Sequence, residues 1–396
     1  MHTGTCLSTI KPLLPVYLAV VLDLVGFGIV IPLLTFYAEE YGAGPVEVTL
    51  LMAVYSFAQF LMAPVWGSLS DRFGRRPIML FSIGMATVCL AGFAWAESLL
   101  MLFLFRTLHG AATANISTAQ ACVADVTTPA NRAMGMGMIG AAFGFGFTIG
   151  PFIGGEMSVY GLAAPIWLAA GLSLFNWVIA LFWLKETQKP TTERHVRSIH
   201  PRAFIQVAKH PLVGSCIVLT FVMTIAFAIM ESSFTLFAEH VHSLDARVVG
   251  RMFGVAGITM IIVQGGLIGR LVKRFGEAPL VPAGVSILAL GLFMLPHADP
   301  PWAMVAVFMM IAVGQGLASP SLNSLISQGA SESEQGFVLG TNQSMSALAR
   351  TIGPTAAGWI YLGGPAWPFY VSAGLLAASI LLAKNAVRGI GKVASK

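Results

Sequence analysis

Apolar residues gather into twelve long runs, approximately 13–37, 47–69, 77–95, 99–125, 133–156, 163–184, 212–238, 248–270, 279–295, 302–327, 337–360 and 367–385, parted by short polar breaks. A helix needs roughly 20 residues to cross about 30 Å of hydrocarbon, so each run predicts one membrane-spanning helix. The only long polar segment is 185–211, which holds Lys185, Lys189, Arg194, Arg197, Arg202 and Lys209 and divides the runs six and six. The predicted organisation is an N-terminal six-helix bundle over 1–184, a linker over 185–211 and a C-terminal six-helix bundle over 212–396.

The polar breaks carry a repeat. Gly67-Ser68-Leu69-Ser70-Asp71-Arg72-Phe73-Gly74-Arg75-Arg76-Pro77, after the second run, returns 202 residues later as Gly269-Arg270-Leu271-Val272-Lys273-Arg274-Phe275-Gly276-Glu277-Ala278-Pro279. Gly150-Pro151 in the fifth run returns 203 residues later as Gly353-Pro354 in the eleventh. A repeat at half the chain length predicts a duplicated unit. The expected fold is an all-α polytopic membrane protein built from two pseudo-symmetric six-helix bundles. Gly and Pro also interrupt several runs, as at Gly26, Gly28 and Pro32 in the first. Such interruptions suit either close packing or pliable gating elements.

Composition agrees with this picture. Only 10% of residues are charged and 56% are hydrophobic, against about 25% charged in soluble domains. The net charge of +5 does not point to nucleic acid, because the basic residues sit in loops. With the N-terminus inside, 18 of the 22 Lys and Arg fall on the inner side, Arg247 and Arg251 outside, and Arg106 and Arg350 within runs. The outer loops carry Glu39, Glu40, Glu47, Glu97, Glu156, Glu239, Asp245 and Asp299. This bias predicts cytoplasmic termini and a cytoplasmic linker. Lys11 leads into a run too long for a cleavable signal. Cys6, Cys89, Cys122 and Cys216 are widely spaced and read as packing residues. No HExxH, GxSxG or GxxxxGK[ST] pattern occurs. The expectation is therefore neither an enzyme nor a cofactor or metal protein, but a monomer embedded in the lipid bilayer.

Four stretches carry a family likeness. They are Gly67 to Pro77; Asp23-Leu24-Val25-Gly26-Phe27-Gly28-Ile29-Val30-Ile31-Pro32; Arg106-Thr107-Leu108-His109-Gly110; and Gly140 through Gly150-Pro151-Phe152-Ile153-Gly154-Gly155. The chain resembles the major facilitator superfamily over its whole length, and within it the twelve-helix drug:proton antiporters that include the tetracycline efflux pumps. The last stretch is similar to the motif associated with antiporters. The resemblance implies a transporter of the bacterial inner membrane that exchanges a small molecule for protons by alternating access. Its cargo would be lipophilic, cationic or zwitterionic drugs or metabolites. An uptake carrier of the same fold is the alternative. The tetracycline pumps carry further acids in the third and ninth helices, which this chain lacks, and this argues against tetracycline as the substrate.

An antiporter needs a proton carrier at membrane depth, where a charge costs several kcal/mol and requires a reason. Asp23, Arg106, Glu231 and Arg350 lie inside apolar runs and sum to zero charge. Asp23, about 15 Å along its helix, is the first candidate carrier. Arg106, which the family signature places toward the cavity, would be the cation that modulates it. The competing reading is a permanent Asp–Arg pair that fixes packing. Glu231, with Arg350 as a possible partner, is the second candidate for proton or cationic-substrate binding. His109 suits either a relay or plain packing. Gln59, Asn115, Gln264 and Gln315, with Tyr55, Phe227, Met230 and Phe234, are candidates for the substrate cavity, each with packing as the alternative. Asn176, Asn323 and Asn342 can line a cavity or bond between helices. Asp71, Arg72, Gly74, Arg75, Gly150 and Pro151 form the gating group. Within it Asp71 is expected to find a cation or a helix N-terminus and latch the inner face. Arg75 and Arg76 also read as plain topology anchors.

Overall fold

In the computed structural model, residues 13–113, 115–127, 129–187, 211–329 and 335–393 are described. Among them no strand occurs, and every apolar run is helical. The helices are α1 (Leu14–Val30), α2 (Leu33–Glu39), α3 (Pro45–Phe73), α4 (Arg75–Ala94), α5 (Leu99–Ala112), α6 (Asn115–Val126), α7 (Pro129–Met157), α8 (Ala163–Trp183), α9 (Pro211–His242), α10 (Ala246–Ile262), α11 (Ile268–Phe275), α12 (Glu277–Met294), α13 (Pro301–Gln328), α14 (Gln335–Leu362) and α15 (Trp367–Val393). Among the described residues, nine helical stretches are long and apolar enough to cross a membrane, ten if α1 and α2 form one bent span. The last two runs fold as α14 and α15, whose apolar stretch is Trp367–Ile380.

The expected interruptions divide into two kinds. Pro32 separates α1 from α2, whose axes differ by 45°. It stands at the N-cap of α2 with φ −69°, where its missing N–H leaves no helical bond unmade. Pro64, Pro151, Pro282, Pro320 and Pro354 instead lie inside helices that continue through them. The fourth run breaks at Thr113, whose extended backbone separates α5 from α6. The eighth passes through a π-helical turn, Val263–Leu267, between α10 and α11. Such turns are uncommon and often mark functional positions.

The described chain falls into two units. The first takes the described residues of Met1–Ala43, Val54–Arg197 and Asp245–Gly254, and the second those of Gly44–Ala53, Ser198–Leu244 and Val255–Lys396. Val16, Val20 and Leu24 of α1 form the core of the first with Met79 and Ile83 of α4, Cys122 and Val123 of α6, and Ile139 and Ala142 of α7. Polar side chains bridge its helices. Asn176 Nδ2 donates to the Ala19 carbonyl (3.0 Å), Trp177 Nε1 to Leu80 (3.0 Å) and the Tyr17 hydroxyl to Gly135 (3.1 Å). A polar group in hydrocarbon is costly unless a partner satisfies it, so Asn176 acts as a tie between α8 and α1. In the second unit the rings of Phe234 and Phe308 pack at 4.2 Å and those of Phe237 and Phe369 at 5.0 Å. Asn342 Nδ2 donates to Asn323 Oδ1 (3.1 Å) and ties α14 to α13.

Glycine sets the crossing of α1 and α7. A methyl group on Gly28 would lie 2.6 Å from the Gly146 carbonyl oxygen, and one on Gly150 would lie 2.6 Å from Gly28 Cα. The two backbones touch, so any side chain forces the helices apart. In the second unit Gly353 of α14 meets Ala228 of α9 in the same way, since a methyl there would lie 2.8 Å from the Ala228 Cβ. Overpacking of this kind costs about 1–3 kcal/mol. Gly150→Val is therefore expected to lower the melting temperature and yield of the detergent-solubilised chain. Gly140→Val, where nothing lies within 4 Å of the added carbon, leaves both unchanged.

Candidate functional site

The first unit gathers a buried cation among aromatic rings. Gly110 lets α5 cross α3 at contact distance, since a methyl there would lie 2.8 Å from Tyr55 Cα. Arg106, one turn earlier, is thereby pressed against α3 and α1 and is 2% exposed. Its guanidinium carbon lies 4.5 Å from the Tyr55 ring centroid and 5.3 Å from that of Phe27. The two rings touch each other at 5.0 Å, and Phe147 of α7 closes on Phe27 at 5.9 Å. Tyr55 also meets the buried ring of His109 (5.2 Å) and donates its hydroxyl to Thr113 Oγ1 (3.3 Å). Phe27 follows Asp23 by four residues, so the two share a face of α1. The half-buried Asp23 and the buried Arg106 thus belong to one region of the unit. A cation held over desolvated rings gains about 2 kcal/mol or more. Gln59, one turn beyond Tyr55, is half-buried. Asn115 begins α6, and its side chain lies outside the described residues.

In the second unit the candidates fall into different settings. Glu231 and Arg350 are half-buried and lie within one turn of the Gly353–Ala228 crossing, on α9 and α14. Met230 and Phe234 have no more than 1% of their surface exposed and belong to the packed interior. Phe227 and Gln315 are half-buried. Gln264 sits in the π-helical turn, where the widened coil departs from regular helix.

In the Gly74 loop Asp71 finds the cation expected of it, Arg75, while two acids that sequence reasoning missed, Asp125 and Glu186, complete the network. Arg75 is buried and meets Asp71 at 2.5 Å, Asp125 at 3.0 Å and the Ser70 hydroxyl at 2.7 Å. Glu186 accepts from the backbone N–H groups of Arg75 (2.9 Å) and Arg76 (3.1 Å). It thereby supplies an anion to the open N-terminus of α4. Arg76 in turn donates to the carbonyls of Leu184 and Leu181, both at 2.8 Å, at the end of α8. Gly74, with φ +99°, leaves the space that the Glu186 carboxylate fills. Arg72 is exposed over the ring of Phe73. Arg75 and Arg76 therefore organise two helix ends as well as carrying charge.

In the second copy the charges are exchanged. Glu277 stands where the first copy has Arg75, and Lys273 where it has Asp71. Glu277 accepts from Ser324 Oγ and Gln328 Nε2, both at 3.1 Å, on α13. At the far end of α7, Glu156 receives Arg247 Nε (3.1 Å) and Arg251 Nε (2.5 Å) within the first unit. Beside it Gly155 and Gly250 approach so closely that a methyl on Gly250 would lie 2.8 Å from Gly155 Cα. Glu156, Arg247 and Arg251 entered the sequence reading only as loop charges, because nothing in their spacing announces the contact.

The sequence profile of the Major Facilitator Superfamily matches residues 16–354, and again 267–388. The class C tetracycline resistance protein of Escherichia coli is 32% identical over 356 residues, covering 86% of this chain and 87% of that protein. Multidrug resistance protein 2 of Bacillus subtilis (strain 168) is 27% identical over 350 residues, covering 87% of each. Among solved structures, the human organic anion transporter MFSD10 (TETRAN) has a TM-score of 0.73 at 24% identity and covers 95% of this chain and 99% of that one. This last likeness speaks for the fold. A profile that spans most of the chain, and relatives that align over nearly all of it, give the assignment: the chain belongs to the major facilitator superfamily of membrane transporters, in the branch of the bacterial tetracycline and multidrug resistance proteins.

Proposed function

We propose that this chain is a proton-coupled exporter of small lipophilic compounds that are cationic or zwitterionic, working as a monomer in the bacterial inner membrane with both termini in the cytoplasm. The observation that carries the reading is Arg106, buried against Tyr55 and against Phe27, which lies one turn from Asp23. Asp23 takes a proton while the pathway is open to one side. It gives the proton up when a cationic substrate competes for the carboxylate or when Arg106 draws near it. Alternating access by the two six-helix halves then moves substrate and proton in opposite directions. Glu231 and Arg350 supply a second charged pair of positions in the other half. The Gly74 loop, through Arg75, Asp71 and Asp125, secures the cytoplasmic end. The names of the resistance relatives favour export over uptake.

The test is a susceptibility panel in a pump-deficient bacterial host. Expression is expected to raise the inhibitory concentration of at least one lipophilic cation, and a protonophore abolishes the gain. Unaltered susceptibility across the panel in cells shown to contain the protein, together with pH-independent counterflow in proteoliposomes, would overturn the reading in favour of an uptake carrier.

A further inference from the structure

At the end of the first unit opposite the Gly74 loop, three helix ends border an open surface hollow of about 370 Å³. They are the end of α2 at Glu39, the end of α4 at Ala94 and the start of α8 at Ala163. This volume suits a small ligand. The lining residues include Tyr41, Trp95, Tyr160, Glu40 and Glu97, and no Lys, Arg or His is among them. Trp95 and Tyr160 are 71% and 77% exposed.

Trp and Tyr at the hydrocarbon boundary commonly serve only as interfacial anchors. Two features of this hollow go further. First, the hydroxyls of Tyr41 and Tyr37 are already committed. Tyr41 donates to the Ala96 carbonyl at 2.6 Å, and Tyr37 donates to Ala94 and Ala96 at 3.2 and 3.3 Å. The Tyr41 bond and an edge-to-face contact with the Tyr37 ring at 5.6 Å fix the Tyr41 ring, so that a visitor meets ring surface and not a free hydroxyl donor. Secondly, the charged groups on the wall are both carboxylates, so a positive guest meets attraction and an anion meets repulsion. Aromatic faces combined with carboxylates are the chemistry that recognises quaternary and tertiary ammonium groups.

We propose that this hollow binds small organic ammonium ions through the faces of Tyr41, Trp95 and Tyr160 and the carboxylates of Glu40 and Glu97. The ion is either free or the headgroup of a zwitterionic lipid. The site shares no residue with the Asp23–Arg106 cluster and does not rest on the proton-coupled reading.

The experiment is fluorine NMR of the full chain labelled with 5-fluorotryptophan in lipid nanodiscs, with the Trp95 line assigned by its loss in Trp95→Phe. In phosphatidylglycerol nanodiscs at constant ionic strength, tetraethylammonium and choline are expected to shift that line saturably. The dissociation constant rises at least about tenfold in Glu40→Gln/Glu97→Gln, equivalent to about 1.4 kcal/mol, and by intermediate amounts in the single variants. The neutral choline mimic 3,3-dimethylbutan-1-ol gives no saturable shift. Phosphatidylcholine nanodiscs identify the source. A line already displaced and insensitive to choline marks a bound lipid headgroup, whereas the same titration in both lipids marks a free cation. The proposal is overturned by any of three results: no saturable shift, an equal response to the neutral mimic, or undiminished affinity in the double glutamine variant.

Discussion

Asp23→Asn is expected to abolish proton release when substrate is added to the detergent-solubilised protein, and to reduce concentrative export to background while downhill exchange continues. Asparagine keeps the size and much of the hydrogen bonding of aspartate but cannot carry the proton. The half-buried carboxylate on α1 is the acid brought toward Arg106 by way of Phe27. A purely structural Asp–Arg pair would give a different pattern, with loss of folded protein and unaltered proton release in what remains. Arg106→Lys sharpens the distinction. Lysine preserves the charge but not the planar guanidinium that lies over Tyr55 and Phe27. Loss of a desolvated cation–π contact of about 2 kcal/mol corresponds to roughly thirtyfold in transport rate or substrate affinity. If Arg106→Lys transports normally, the stacked geometry is incidental and charge alone matters. Unchanged proton release in both Asp23→Asn and Glu231→Gln would remove these carboxylates from the coupling mechanism.

The second large effect belongs to the Gly74 loop. Arg75→Gln is expected to disturb closure of this end far more than Asp71→Asn. The Asp71 side chain is 62% exposed, and an ion pair of that kind contributes about 0–1 kcal/mol. Asp125 is only 25% exposed. Leaving a fully buried charge without its partner costs about 3–5 kcal/mol, which partial exposure reduces to roughly 1–2 kcal/mol here. The order of effect should therefore be Arg75→Gln, then Asp125→Asn, then Asp71→Asn, with Lys273→Ala smallest. The readout is the rate at which a membrane-impermeant maleimide labels a cysteine placed at Gln59 in a cysteine-free background, in inside-out vesicles. Equal rates for Arg75→Gln and Asp71→Asn would show that the exposed pair governs closure after all.

How legible these sites were in the sequence depended on the range of the contact. The helices could be read because each needs a continuous apolar run, and the bend at Pro32 because proline acts on its own neighbours. Pro151 did not break α7, since the packing of Gly150 against Gly28 holds that helix along α1. Asp125 and Glu186 were invisible because they meet Arg75 across 50 and 111 residues of chain. Met230 and Phe234 illustrate a different limit. An apolar side chain in an apolar run carries no mark that separates lipid, cavity and core, and packing put both in the core. Asn176 and Asn342 carried a real signal, an amide in hydrocarbon, but only the partners Ala19 and Asn323 show that the amides serve as ties between helices.

The exchanged charges of the two loops have a consequence for the lineage of the two halves. If the loop 269–279 were transplanted into the place of 67–77, Glu277 would arrive where Arg75 now stands. It would face Asp125 and come within reach of Glu186, three carboxylates against the one cation, Lys273, that arrives at the exposed Asp71 position. The loops are therefore not spare parts for one another. Neither loop can change sign without its neighbouring helix changing too: α6 supplies an acid to an arginine, while α13 offers a hydroxyl and an amide to a glutamate. Each half has become a lock cut for its own key, and gene conversion between them would erase a working pair.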